Sequence, residues 1–367
     1  MKLSDMCIMF EDGDWIESKD QSDDGIRLLQ TGNIGEGKFL EKEGKERFIS
    51  RETFEKLKCK EVFSGDILIS RLPEPVGRAC LVPEKKQRMI TAVDCTICRI
   101  DDKKIRRRYL CYYLQSANYY TQLKNSITGT TRKRISRKNL GNIEIKIPSD
   151  KKQEEVIKQL DLIVEIIDNK KKKLQLLDTL VKSRFVEMFG DIITGKYNYK
   201  IRKLGDVAFI GSSHRVFTTE FVESGIPFYR GTEIGELANG IEPSEPYYIS
   251  EEHYNKLTKD NTKPRIGDLL MPSICNKGQI WMVDTDRPFY YKDGRVLCIS
   301  PNRDIFNSKY LEYFMRIKTL VEYPKLGSGS TFAEFKIFLL KDMDVLVPPR
   351  NVQNQFADFV ASVDKSK

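Results

Sequence analysis

The chain has 367 residues, 40% of them hydrophobic and 31% charged, with 62 basic against 53 acidic side chains. That is a globular profile with room for two cored domains, and it excludes a disordered or fibrous protein. No apolar run approaches the roughly 18 residues of a membrane span, the opening Met1-Lys2-Leu3-Ser4-Asp5 lacks signal-peptide order, and eight cysteines without disulfide-like spacing suit a reducing compartment, so a cytoplasmic protein is expected.

Along the chain, residues 1–50 carry a net −5, and residues 51–150 carry 22 basic against 11 acidic residues. Gly65-Asp66 reads as a turn feeding a short apolar strand. Two basic clusters follow, Arg106-Arg107-Arg108 and the segment from Arg132 to Lys138 with five cations in seven residues. Clustering of this kind in a folded region points to a polyanion, most commonly nucleic acid. Asn142-Ile143-Glu144-Ile145-Lys146-Ile147 alternates with period two, which predicts a strand with the isoleucines on a core and Glu144 and Lys146 outside. Pro148 ends it. From 151 to 189 the period changes: Leu160, Ile163, Ile167, Leu174, Leu177, Val181 and Met188 follow 3-and-4 spacing, with Lys170 and Arg184 as misses. The pattern predicts an amphipathic helix closed by Gly190. At 1.5 Å per residue it would be about 60 Å long, a spacer or coiled-coil strand more than an ordinary core helix.

The remainder, residues 191–367, carries a net +1 and repeats what came before. Lys2-Leu3-Ser4-Asp5 recurs as Lys203-Leu204-Gly205-Asp206, Phe48-Ile49-Ser50 as Tyr248-Ile249-Ser250, and Gly65-Asp66-Ile67-Leu68 as Gly267-Asp268-Leu269-Leu270. Tyr109-Leu110 answers to Tyr310-Leu311. Gly129-Thr130-Thr131, Leu140, Ile143, Ile145, Ile147-Pro148 and Gln153 map onto Gly329-Ser330-Thr331, Leu340, Met343, Val345, Val347-Pro348 and Gln353. All offsets lie between 200 and 202. The shared order and offset make the chain two copies of one mixed α/β domain. The second copy starts the same helix at Gln353 but supplies about fifteen residues where the first supplies about forty.

Two α/β domains, each followed by a helix and each carrying the Gly-Thr-Thr (or Gly-Ser-Thr), Leu, Ile-Pro (or Val-Pro), Gln series, resemble the specificity subunit of type I restriction–modification enzymes. The resemblance implies an internal pseudo-twofold repeat of two target recognition domains with twisted, mostly antiparallel sheets. Residues 1–150 and 191–350 would be those domains, 151–190 the central long helix, and 351–367 the start of the distal helix. It implies that the helices pair as an antiparallel coiled coil that spaces the domains and docks methyltransferase subunits. The seam would be Leu160, Ile163, Ile167, Leu174, Leu177 and Val181, completed by a second copy if this chain does not complete it. It further implies a non-catalytic chain without its own cofactor. Its partners would be double-stranded DNA, two modification subunits and the restriction subunits. S-adenosylmethionine, and ATP with Mg, would sit in those partner subunits, and no membrane is involved.

Arginine suits guanine O6/N7 and Asn or Gln suits adenine N6/N7, so loop residues of these types near the repeated elements are the candidate DNA contacts. In the first copy they are Gln30, Thr31, Asn33, Arg71, Arg78, Arg132, Lys133, Arg134 and Arg137. In the second they are Arg230, Thr232, Glu233, Ser273, Asn276, Lys277, Gln279, Lys325, Ser328, Ser330 and Thr331. Other chemistries find less support. Two histidines, His214 and His253, leave little for a His-based site. Cys95 and Cys98 have CxxC spacing in a strand, where residues three apart face opposite ways. Glu144-Ile145-Lys146 and Glu334-Phe335-Lys336 lack an upstream Asp for a nuclease metal site. Val347-Pro348-Pro349-Arg350 is not a methyltransferase base pocket, and no phosphate loop occurs. The competing reading is a coiled-coil adaptor whose domains bind protein, which low-salt DNA binding would distinguish.

Overall fold

The Gly-Asp turn is built the same way in both copies. In the computed structural model, which describes residues 1–197, 199–260, 263–326 and 333–367, Gly65 and Gly267 take φ of +90° and +84°, backbone that favours glycine. The Asp66 carboxylate accepts from the Phe63 N–H at 2.8 Å, and Asp268 from the Arg265 N–H at 2.8 Å. Each also holds an arginine, Arg99 for Asp66 and Arg303 for Asp268. The strands that follow, Ile67–Ser70 and Leu269–Pro272, are buried at every position, which is why their sequences run apolar instead of alternating.

The chain divides into two units, residues 1–169 and 170–367. In the first, the antiparallel sheet has the order Cys7–Asp12, Cys95–Ile100, Ile67–Ser70, Ala79–Leu81. The second unit repeats it as Ala208–Gly211, Val296–Pro301, Leu269–Pro272, Trp281–Met282. Each unit adds a small second sheet containing one parallel pair, Ile26–Leu29 with Met89–Thr91 and Ile226–Tyr229 with Tyr290–Tyr291. The fold is therefore mixed helix with mostly antiparallel sheets, as expected. Asp344–Val347 pairs with Lys200–Lys203. The corresponding strand expected at 142–147 shortens to a single bridge between Lys2 and Glu144, since only Met1 to Leu3 run beside it. Its alternation holds, with Ile143 and Ile145 buried and Glu144 exposed. Cys95 and Cys98 are both buried and belong to different core clusters on the two faces of their sheet.

The long helix runs Asp150–Phe189. Its first turn is fixed by Gln153, which is buried, accepts from the Arg106 N–H at 2.9 Å and donates to the Pro148 carbonyl at 3.1 Å. Gln353 repeats this in the second unit, accepting from the Asn307 N–H and donating to Ile305 and Pro348. The last helix, Arg350–Asp364, lies antiparallel to the far end of the long one. Phe356 packs edge-on to Phe185 and Phe189, while Lys173 donates to the Ser366 carbonyl and Lys367 pairs with Asp178.

The seam differs from its expected course. Val181 is buried and Leu160 and Leu177 are half-buried, but Ile163, Ile167 and Leu174 are 50%, 46% and 41% exposed. Beyond Val181 the buried positions are Phe185 and Phe189. The miss at Arg184 thus marks a change from 3-and-4 alternation to steps of four, as the apolar stripe leaves a coiled-coil phase and enters a globular core. No helix among the described residues is long and apolar enough to cross a membrane.

Candidate nucleic-acid interface

One backbone frame recurs in the two units. The Arg71 N–H donates to the Asp94 carbonyl and its own carbonyl accepts from the Ile135 N–H. Ser273 does the same between Arg295 and Phe335. The frame therefore equates Arg71 with Ser273, Asp94 with Arg295, and the residues before Ile135 and Phe335, Arg134 and Glu334. A second repeated feature is a cap. The Gln30 N–H donates to the Asn33 side chain at 2.9 Å, and the Arg230 N–H to the Glu233 carboxylate at 2.7 Å.

In the second unit this frame borders a cleft of about 710 Å3 whose walls include Arg230, Thr232, Ser273, Ile274, Gln279, Lys292, Arg295 and Glu334. Arg230 is held by Glu233 at 2.6 Å and lies over the Tyr247 ring at 4.6 Å. Burial pushes the Glu233 carboxyl up, but hydrogen bonds from the Arg230 side chain and backbone outweigh that and hold it below its ordinary value. Glu334 accepts from Lys336, from Arg295 Nη1 at 2.9 Å and from Ser273 Oγ at 3.3 Å. The Lys336 hydrogen bond, opposed by partial burial and helped by the Arg295 charge, keeps it ionised below the usual carboxylate range.

In the first unit Arg132, Lys133, Arg134 and Arg137 are all exposed, and Lys133 pairs with Glu74 at 2.7 Å. Gln30 and Thr31 are half-buried at the edge of their cap. The other basic cluster is spent internally. Arg106 binds Asp150 and Glu154, Arg107 binds Asp102, and Arg108 binds Asp161. Three of those four carboxylates lie on the long helix, so two of the three arginines clamp helix to unit.

A family model described as the type I restriction modification DNA specificity domain matches residues 1–179. Over residues 1–179 the chain is therefore similar to type I DNA specificity domains. The resemblance drawn from its repeat is thereby borne out. The chain is 23% identical over 263 residues to a Haemophilus influenzae protein named as a type I restriction enzyme specificity subunit, covering 70% of this chain and 64% of that protein. It is 23% identical over 272 residues to the MjaIX specificity subunit of Methanocaldococcus jannaschii, covering 69% and 61%. Both alignments span less than two thirds of the relative. Among solved structures, the fold matches a chain from a study of type I R-M complex assembly and conformational transition, with TM-score 0.56 and 17% identity over 100% of this chain and 90% of that one. It also matches the S subunit from M. genitalium, with TM-score 0.55 and 14% identity over 100% and 89%.

Within the two units, five expected contact residues are engaged in hydrogen bonds inside the fold. Asn33 is buried, capping Gln30 and donating to the Leu40 carbonyl. Arg78 is buried, with its donors spent on the carbonyls of Thr31, Ile34, Pro73 and Pro75. Arg71 bonds the Val93 and Ile135 carbonyls and pairs with Asp12. Glu233 and Ser273 are buried in their cap and frame. Asn33, Arg71 and Arg78 point inward because loops turning back on a sheet leave carbonyls that need donors, whereas Glu233 accepts from Arg230 and Ser273 donates to Glu334. Of the rest, Arg230, Thr232 and Gln279 line the cleft. Asn276 and Lys277 are exposed on the adjoining turn, and Lys277 borders a different cleft. Lys325 pairs with Glu322 at 3.1 Å. Ser328, Ser330 and Thr331 lie outside the described residues. Lys292 and Arg295 are not among the expected contacts, and sequence reasoning weighs Glu334 only as part of a nuclease metal site. The signal was available in the repeat, where Arg295 stands one step before a strand aligned with Cys95–Ile100. Among the described residues no group of three or more His, Cys, Asp or Glu could hold a metal ion.

Proposed function

We propose that this chain is the sequence-specific DNA-binding specificity subunit of a type I restriction–modification complex, each unit reading one half of a bipartite target. The carrying observation is one backbone frame used twice with different side chains on it: an Arg, Glu and Gln cleft in the second unit, and exposed Arg and Lys in the first. Two copies of one scaffold with unlike polar faces suit the reading of two unlike half-sites. The chain's own part is recognition. Methyl transfer and cleavage, with S-adenosylmethionine and with ATP and Mg, belong to partner modification and restriction subunits. The long helix supports a docking role, because Leu162, Ile163, Ile166 and Ile167 are each about half exposed and a contiguous apolar face of that kind is usually covered.

The test is to express the chain with its modification subunit and map methylated sites. A bipartite motif that disappears when this chain is omitted is the expected result. Sites independent of the chain, or methyl transfer by the purified chain alone, would reject the reading.

A further inference from the structure

We infer that Arg295 reads a guanine in the second half-site and that Glu334 is the residue that positions it; this rests on the DNA-binding reading above. Arg295 is exposed at the mouth of the cleft, and among the described residues only its Nη1 is engaged, by Glu334 at 2.9 Å. Glu334 is itself pinned by Ser273 Oγ and Lys336. One arm of the guanidinium is thus fixed while Nε and Nη2 remain as a parallel pair of donors. That pair matches the O6 and N7 acceptors on the major-groove edge of guanine.

The alternative target for such an arginine is a backbone phosphate. Two observations oppose it. A carboxylate at hydrogen-bond distance from the guanidinium would repel a phosphate seated on the same group. The repeat supplies the second argument. Phosphates are identical under every sequence, so a phosphate anchor would keep its sign at equivalent positions of the two frames. Here the signs are exchanged: Arg295 and Glu334 in the second unit stand where Asp94 and Arg134 stand in the first. A pair that inverts while its backbone frame is retained is free to vary with the base it meets. Lys292, on the wall of the same cleft, is placed for a phosphate instead.

The experiment is selection from a pool of random duplexes by the full chain assembled with its modification subunits, followed by sequencing. The wild type should show a required G at one position of one half-site. Arg295→Ala and Arg295→Lys should both weaken that preference roughly 5- to 150-fold and leave the other half-site unchanged. The lysine variant keeps the charge and loses the fork, so a phosphate contact would tolerate it. Glu334→Gln should relax the same position more weakly, a readout that a purely structural role would not confine to one base. In case a variant fails to fold, wild-type protein is also tested on duplexes carrying 7-deazaguanine, which removes N7, at each G of the motif. Weakened binding at a single G supports the inference. An unchanged motif with Arg295→Ala, or indifference to 7-deazaguanine at every G, overturns it while leaving DNA recognition standing. A wild-type complex that selects no motif overturns both.

Discussion

Arg78 and Arg134 have the same side chain and opposite fates, and the difference lies in the carbonyls around them. Arg78 is surrounded by four loop carbonyls and is buried, whereas Arg134 faces solvent. Arg78→Ala should therefore cost on the order of 3 kcal/mol by leaving buried acceptors unpaired, and Asn33→Ala about 1 kcal/mol through loss of its cap. Both losses would be read by urea unfolding, with the preferred DNA motif unchanged in whatever protein remains folded. Glu233 adds a pH dependence. Its folded pKa is depressed, despite burial, by the Arg230 hydrogen bonds, so its stabilising contribution is present above the ordinary carboxylate pKa of 4.5 and is lost as pH falls through the lower folded value. Glu233→Gln should lower stability at neutral pH and flatten the decline on acidification, measured as urea midpoints across a pH series. An equally steep decline in the variant would assign the acid sensitivity elsewhere.

The long helix shows what periodicity conveys and where it stops. Its span was legible to within a residue at each end, because a 3-and-4 stripe and the closing Gly190 are properties of the sequence itself. Its partner was only half legible. Spacing finds an apolar stripe but says nothing of what covers it, so Ile163, Ile167 and Val181 looked equivalent although only Val181 is buried. The loop residues were less legible still. Side-chain type suggests hydrogen bonding, but whether a donor meets a base or a loop carbonyl depends on backbone turns that carry no period. The repeat was the better guide, since matched positions such as Gln153 and Gln353 make matched bonds. The two regions of the helix should respond differently to substitution. Phe185→Ala, in the core, should destabilise by about 3–5 kcal/mol and lower Tm. Leu174→Asp, on the exposed stretch, should leave stability within about 0.5 kcal/mol and reduce co-purification with modification subunits or with a second copy. Normal assembly of the Leu174 variant would show that this stripe docks nothing.

At the level of the whole molecule, if both units read DNA as proposed, they should divide the work of binding unequally. The first carries Arg132, Lys133, Arg134 and Arg137 exposed in one segment, while the second gathers Arg230, Ser273, Gln279 and Arg295 around a cleft that also contains a carboxylate. Exposed cations contribute chiefly by releasing counterions from phosphates, a contribution that salt suppresses with a log–log slope of about 0.9 per contact. Groups held at a cleft contribute through base edges, where each good contact discriminates by about 1–3 kcal/mol. Neutralising Lys133 and Arg134 together should flatten the salt dependence by one to two units and spare the choice of bases in the second half-site. Arg134 should account for more of that change, since Lys133 already has Glu74 as a partner. Gln279→Ala should do the reverse, relaxing one base position at nearly constant salt slope. Asn276→Ala should have the smaller effect on sequence choice, because Asn276 lies on the turn outside the cleft that Gln279 lines. Binding of matched and singly mismatched bipartite duplexes across a salt series measures both quantities at once. If the Lys133 and Arg134 double variant changes base preference in the second half-site, or the Gln279 variant changes only the slope, the assignment of phosphate contacts to the first unit and base reading to the second is wrong.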